Sequence, residues 1–147
     1  MARGTSGAWS IHQVMADGSD LQSLLQTASN TADPTWSPDG QSLVLGQTPD
    51  LMGKDAAPRI IQILDLKTRQ LTTLPGSRDL FSPRWSPDGQ FIVALSLDQR
   101  QIKLYDLATK QWRYLAGRSA ADPVWAFDSH SIYTDAFMES GQPVYRV

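Results

Sequence analysis

The sequence contains no cysteine and only two histidines. The first absence excludes disulfide bonds, thiolate metal ligands and a cysteine nucleophile. His12 and His130 are far apart in the chain and have neither cysteine nor spaced carboxylates to complete a zinc site. We therefore expect no metal ion and no cofactor.

The chain also lacks an excess of positive charge. Its formal net charge is −2, and its 13 basic residues are scattered with no run of three. A nucleic-acid binder held by phosphate contacts normally has a basic excess, so we expect no nucleic-acid partner. No apolar window approaches about 18 residues, so we expect no membrane insertion. Residues 1–8 contain no apolar stretch of the signal-peptide kind, and we interpret them as a flexible lead-in.

Catalytic signatures are absent as well. No Gly-x-Ser-x-Gly nucleophile elbow occurs, and the segment from Gly4 to Gly7 has neither the spacing nor the lysine of a phosphate-binding loop. Composition alone leaves a Ser-His-Asp triad open. Because nothing in the residue pattern favours such a triad, we expect that the protein is not an enzyme.

A repeated pentapeptide is the main positive feature of the sequence. Trp-Ser-Pro-Asp-Gly starts at Trp36 and again at Trp85, and a decayed copy starts at Trp125; the spacings are 49 and 40 residues. Such a period predicts a stacked or radial repeat. The residues assigned a structural role in this motif are Trp36, Pro38, Asp39, Gly40, Trp85, Pro87, Asp88, Gly89 and Trp125.

The motif is better explained by a turn than by a catalytic site. Proline presets φ at the second position of a turn, aspartate can accept hydrogen bonds from turn amides, and glycine takes the left-handed position. We therefore interpret Asp39 and Asp88 as turn residues and not as paired catalytic carboxylates. Trp36, Trp85 and Trp125 recur in phase, which favours packing between repeats over a ligand-stacking platform.

The segments between the motifs also repeat, as pairs of short strands around a polar turn. They cover residues 59–74, 101–115 and, less closely, 10–25. The resulting unit has four strands, and the whole chain is predicted to contain 2 + 4 + 4 + 3 = 13 strands. The predicted units are residues 9–30 with two outer strands, 31–76 and 77–118 with four strands each, and 119–147 with three.

These repeats resemble those of TolB-like β-propellers, also called WD-like PD repeats. The similarity rests on "DPTWSPDGQSLVL" and "SPRWSPDGQFIVAL" with the hairpins that follow them, and it extends from Ile11 to Val147. The segments around Leu74 and Leu80 are similar to propellers at the C-terminus of bacterial regulators that carry winged-helix or kinase domains. The resemblance implies an all-β propeller of four-stranded antiparallel blades, located in the bacterial cytoplasm or periplasm.

About three blade equivalents, half of a six-bladed ring, cannot close a ring alone. An open stack would expose apolar faces and unpaired strand edges. We therefore expect closure by a two-fold homodimer, the commonest oligomer symmetry; the alternative is that the chain is part of a longer propeller. The expected interface lies at the two terminal segments and includes Ile11, Gln13, Val14, Val144, Tyr145 and Val147.

The expected function is protein–protein interaction without catalysis, with a protein partner that the sequence does not identify. Candidate contact residues are Leu51 and Met52, in an insertion over residues 48–58, and Arg84, in a strand expected to line the central channel. The alternative function is a sensor or ligand-binding fragment of a larger bacterial regulatory protein. A propeller that gates a hydrolase is the least supported hypothesis.

Overall fold

The computed structural model describes residues 2–3, 9–26, 30–47, 59–117, 120–136, 141 and 143–147. These ranges form 14 β-strands and no helix. The strands are β1 (Ala2–Arg3), β2 (Trp9–Gln13), β3 (Gln22–Gln26), β4 (Thr31–Trp36), β5 (Ser42–Gln47), β6 (Gln62–Asp65), β7 (Leu71–Thr73), β8 (Leu80–Trp85), β9 (Phe91–Ser96), β10 (Ile102–Asp106), β11 (Gln111–Ala116), β12 (Ala121–Trp125), β13 (Ile132–Asp135) and β14 (Val144–Arg146).

The strands form four antiparallel sheets in chain order. The first sheet is β1–β3, the second β4–β7, the third β8–β11 and the fourth β12–β14. We call the second and third the inner sheets, since each has four strands and a sheet on either side, and the first and fourth the end sheets. The predicted all-β fold of four-stranded antiparallel sheets is confirmed. The sequence did not indicate β1, a two-residue strand that pairs with β2 through Ala2↔Ser10 and Arg3↔Trp9.

Three apolar clusters hold the sheets face to face. Leu43 and Leu45 point toward the first sheet, where they meet Ile11 and Leu24, and Val44 points toward the third sheet. The third sheet alternates in the same way, because side chains along a strand alternate between its two faces. Each inner sheet is therefore apolar on both faces, as a sheet stacked between two others requires.

The first strands of successive repeats lie beside one another. β8 contacts both β4 and β12. The approach is close enough to require glycine at position 46, because a Cβ atom there would lie 2.8 Å from Cδ of Pro83. The innermost edges of the sheets therefore converge.

These innermost strands share a β-bulge that the sequence does not indicate. Asp33, Ser82 and Asp122 each have a positive φ, and each stands where the ladder to the next strand shifts register. A proline follows in each repeat, where a residue without an N–H group is tolerated. The bulge re-aims the strand just before the tryptophan of the motif.

Candidate interaction surfaces at the two ends of the sheet stack

The three hairpins of the repeat correspond residue by residue. In β2–β3, pairing passes from Ile11↔Leu25 to His12↔Ser23 and skips Leu24. In β10–β11, it passes from Ile102↔Ala116 to Lys103↔Tyr114 and skips Leu115. The shared irregularity fixes the alignment, and the turns between the strands have equal length. One position pair is therefore occupied by Val14 and Leu21, by Leu64 and Leu71, and by Tyr105 and Trp112.

In the inner sheets this pair is covered by the preceding sheet. Leu64 is fully buried and Leu71 packs beside it against the core that joins the first and second sheets. Tyr105 is 2% exposed, and its ring centroid lies 5.0 Å from that of Trp112. The Trp112 indole N–H donates to the carbonyl oxygen of Pro75 at 2.8 Å, so this side chain lies across the joint between two sheets.

In the first sheet the same pair faces solvent. Val14 is 52% exposed and Leu21 is 70% exposed. Two apolar side chains thus stand uncovered at positions where the inner sheets have one buried and one half-buried side chain. Of the other residues expected at this interface, Ile11 is buried against the second sheet and Gln13 is half-buried.

The outer face of the fourth sheet differs from the corresponding face of the third. The third sheet presents Val93, Leu95, Ile102 and Leu104, which are all buried. The pairings Tyr133↔Arg146 and Asp135↔Val144 match Val93↔Leu104 and Leu95↔Ile102, so the equivalent residues are Tyr133, Asp135, Val144 and Arg146. This face is therefore half charged, and the Arg146 Nε atom donates to the Ser131 hydroxyl at 2.8 Å.

The fourth sheet ends at the edge of β14. Ile132 and Val147 exchange both backbone hydrogen bonds, at 3.0 and 2.8 Å. Because hydrogen-bonded and non-hydrogen-bonded pairs alternate in an antiparallel ladder, the backbone groups of Val144 and Arg146 point away from β13. Within the described ranges no strand follows β14, whereas β10 and β6 are each followed by an outer strand. Tyr145 has its backbone toward β13 and is half-buried.

A groove of about 140 Å³ lies beside this edge, between the third and fourth sheets. We call it the outer groove. Phe91, Leu104, Leu115 and Val147 provide apolar walls, and Arg113 and His130 lie at the rim. The Arg113 guanidinium carbon is 5.9 Å from the centroid of the Phe91 ring. The groove can therefore receive an apolar side chain next to positive charge.

The motif residues link neighbouring repeats at one end of the sheets. A Cβ atom on Gly89 would lie 3.4 Å from Cγ of Pro38, and the Asp88 N–H donates to the Ser129 hydroxyl at 3.0 Å. The Trp125 indole N–H donates to the carbonyl oxygen of Arg84 at 3.0 Å. Trp85 packs against the core between the inner sheets, whereas Trp36 is about half exposed. These contacts run between successive turns, and Trp125 and Ser129 of the third copy also line the outer groove.

The motif carboxylates are engaged within their own turns. The Ser37 hydroxyl donates to Asp39 at 2.6 Å and the Gln41 N–H donates at 3.0 Å; Ser86 and Gln90 repeat both distances at Asp88. These donors, the hydroxyl first, hold the pKa of Asp39 and of Asp88 below its usual value. A carboxylate stabilised in its charged form is a weak base. The described residues contain no cluster of three or more histidine or acidic side chains arranged for a metal ion.

The remaining candidates lie elsewhere. Arg84 is largely buried beside the neighbouring innermost strand, with Nη1 2.9 Å from the carbonyl oxygen of Pro83 and Nη2 3.8 Å from Asp122. This contact connects β8 to β12. Leu51 and Met52 fall outside the described residues. In the described part of the chain, no helix is long and apolar enough to cross a membrane.

Comparison with known proteins identifies the fold. No family model and no curated protein matches the sequence. Among solved structures, a putative TolB from Agrobacterium tumefaciens aligns with a TM-score of 0.71 and 19% identity, covering 91% of this chain and 48% of that one. Oligogalacturonate lyase from Vibrio parahaemolyticus aligns with a TM-score of 0.65 and 14% identity, covering 90% of this chain and 40% of that one. The β-propeller domain of the Trilobed protease from Pyrococcus furiosus aligns with a TM-score of 0.59 and 21% identity, covering 79% of this chain and 37% of that one.

These similarities show the fold alone, because every identity is below 25%. The chain spans less than half the length of each matched structure. The described architecture is therefore a partial β-propeller. The matched proteins include a lyase, a protease domain and TolB, so they share this architecture across different activities.

Proposed function

We propose that this chain is a non-enzymatic β-propeller module for protein–protein interaction, and that two copies close one ring as a homodimer. The observation that carries the proposal is the solvent exposure of Val14 and Leu21, at positions where the inner sheets bury one side chain and half-bury the other. At the opposite end, among the residues that the structure describes, no strand pairs with the far edge of β14, and the outer groove lies beside that edge.

The two ends differ from each other, which determines the kind of symmetry that fits. If one end of the stack met the same end of a second copy, the outer groove would stay empty. If the first-sheet end of each copy meets the fourth-sheet end of the other, a two-fold axis relates two identical joints and the ring closes. Closure would cover the exposed apolar pair and remove the strand edge that otherwise invites uncontrolled aggregation.

The proposed absence of catalysis rests on how the acidic groups are used. Asp39 and Asp88, and also Asp98, Asp65 and Asp106, accept hydrogen bonds from backbone N–H groups of their own turns. Such carboxylates hold the turns and are not directed at a substrate. In the closed ring, the surfaces left for a protein partner would be the loop faces and the strands around the axis, near Arg84.

The test is the mass of the protein in solution over a dilution series. Sedimentation equilibrium should give twice the 16.3 kDa chain mass at micromolar concentration. Leu21→Asp should weaken association at least about 100-fold, because the closed joint would lose an apolar contact and desolvate a carboxylate. Leu97→Asp is the matched control, since Leu97 is also exposed but lies in a turn of the third sheet, away from both ends.

A chain that stays monomeric at all concentrations would contradict the proposal. That result would favour the alternative, a sensor or ligand-binding part of a larger regulatory protein whose ring is completed by other blades. Equal weakening by Leu21→Asp and Leu97→Asp would show that association does not use the first sheet.

A further inference from the structure

We infer that the hairpin β2–β3 of a second copy displaces β14 and completes the fourth sheet, with its Leu21 side chain in the outer groove. This inference rests on the proposed homodimer and adds which strands pair and which site receives which side chain. It follows from the repeat alignment, the shape of the outer groove, and the difference between β14 and β2.

The outer groove lies beside a site that is covered one repeat earlier. Trp112, on the outer strand of the third sheet, lies over Pro75 and Gly76 of the second sheet; a Cβ atom on Gly76 would be 3.2 Å from its indole ring. One repeat later, the residues equivalent to Pro75 and Gly76 are Ala116 and Gly117. The fourth sheet has no outer strand in the described ranges to place a side chain over them, and the outer groove lies next to them, with the preceding residue Leu115 in its wall.

The first sheet carries the side chains that suit this site. Leu21 is the equivalent of Trp112, and Val14 is the equivalent of Tyr105. In the fourth sheet, Val147 occupies the position of Tyr105. Tyr105 pairs with Ile92 in the third sheet, and Val147 is hydrogen-bonded to Ile132, the equivalent of Ile92. Val14 of the second copy would therefore replace one valine by another, while Leu21 would add the missing apolar contact.

The groove is continuous with an existing interface. Leu104, Leu115 and Val147 belong to the apolar cluster that already joins the third and fourth sheets. The opposite face of the incoming hairpin stays on its own second sheet, where Ile11 and Leu24 are buried. The composite sheet would thus lie between an inner sheet of each copy. Each copy supplies two inner sheets and half of each composite sheet, which makes a ring of six sheets.

β14 is the weaker of the two competing strands. It has three residues against five in β2, and Val144 is 69% exposed. Retaining β14 and adding β3 alone would require the four residue pairs between β2 and β3 to break. Moving the hairpin as a unit keeps those pairs and places Ile11 where the fourth sheet has Val144. It requires the two-residue strand β1 to leave the edge of β2.

The hairpin would bring acidic side chains toward Arg113. The hairpin and its turn contain Asp17 and Asp20 and no lysine or arginine. In the third sheet, the turn between β10 and β11 is hydrogen-bonded to the motif turn that precedes β9: the Leu107 N–H donates to the carbonyl oxygen of Gln90. The equivalent contact would join Ala16 of the second copy to His130 and bring Asp17 toward Arg113, on a side of the outer groove where Asp88 and Asp128 are held by their own turns.

Engineered disulfides test the pairing directly, since the chain has no cysteine of its own. If β2 of the second copy pairs with β13, Gln13 lies opposite Tyr133 as a non-hydrogen-bonded pair, like Leu104 opposite Val93. The Cα atoms of such pairs are about 4.5 Å apart, within the range of a disulfide. The double variant Gln13→Cys, Tyr133→Cys should therefore form a covalent dimer under mild oxidation, visible on a non-reducing gel.

The matched control is the double variant Gln22→Cys, Arg146→Cys. These two positions are equivalent to Arg113 and Leu104, which pair in the third sheet. They would cross-link only if β14 stayed in place and β3 of the second copy paired with its outer edge. Cross-linking of this pair alone, or of neither pair in a protein that sedimentation shows to be dimeric, overturns the inference and leaves the proposed function intact. Cross-linking of neither pair in a monomeric protein overturns both. Cross-linking of the Gln13–Tyr133 pair alone supports both.

Discussion

The same hairpin occurs in two settings in this molecule, covered in the inner sheets and open in the first sheet. The backbone is alike in both, down to the skipped residue at Leu24 and at Leu115. The side chains differ: Tyr105 and Trp112 are large and in contact, whereas Val14 and Leu21 are smaller and exposed. The comparison shows that pairing and turn chemistry determine the strands, and the neighbouring sheet determines what their side chains contribute.

The largest change in the free energy of unfolding is expected at the apolar pair itself. Leu64→Ala should lower the free energy of unfolding by about 2–5 kcal/mol, because Leu64 is fully buried between two sheets. Val14→Ala, at the equivalent exposed position, should change it by less than about 0.5 kcal/mol in the monomeric chain. Urea unfolding at a concentration below dimer formation measures both values. Similar losses would mean that Val14 is covered within a single chain.

The acidic turns give the second test, which concerns pH. Hydroxyl and N–H donors lower the pKa of Asp39 and Asp88 in the folded state. A lowered folded-state pKa stabilises the protein above the unfolded-state value of about 3.9, and this stabilisation is lost as the pH falls through the folded-state pKa. The double variant Asp39→Asn, Asp88→Asn should therefore be less stable than the parent chain at pH 7, with the difference shrinking below about pH 4.

Urea unfolding at pH 7 and at pH 3 measures this difference. Ser86→Ala is the matched control, because it removes the hydroxyl that lowers the pKa of Asp88 most and leaves the carboxylate in place. It should reproduce part of the loss at pH 7. A difference between parent and double variant that is the same at both pH values would show that the turn carboxylates contribute through shape and not through charge.

The turns and strands were accessible from the sequence because they depend on local chemistry. Asp39 and Asp88 lie in the turns that Pro-Asp-Gly indicates, and most strands occur where the repeated segments around the motif predict them. The bulges at Asp33, Ser82 and Asp122 were missed because they depend on the convergence of innermost strands from different sheets. The one available signal was the proline two residues before each tryptophan.

The candidate interface was only partly predictable, for a different reason. The terminal segments could be named from the uneven strand count, but the apolar pattern of Val14 and Leu21 is the same whether or not a sheet covers it. The outer groove was missed altogether, since it is formed by Phe91 and Leu115 of one sheet and Val147 of another. A cavity between sheets depends on three-dimensional packing that no single repeat encodes.

The smallest change in the free energy of unfolding is expected at the motif turn, where the fourth sheet differs from the inner sheets. Ser37 and Ser86 donate to the carboxylates of their turns, and the fourth sheet has Ala126 at that position, beside Asp128. The Asp128 carboxylate still accepts the N–H of His130 at 2.9 Å, so the turn is formed but lacks the hydroxyl donor. Ala126→Ser should restore that hydrogen bond and raise the free energy of unfolding by about 0.5–1 kcal/mol. Ala126→Thr separates donation from fit, because its hydroxyl is equivalent but its extra methyl group must find room. No gain from serine in urea unfolding would show that the inner turns depend on their neighbouring repeats more than on their own hydroxyl groups.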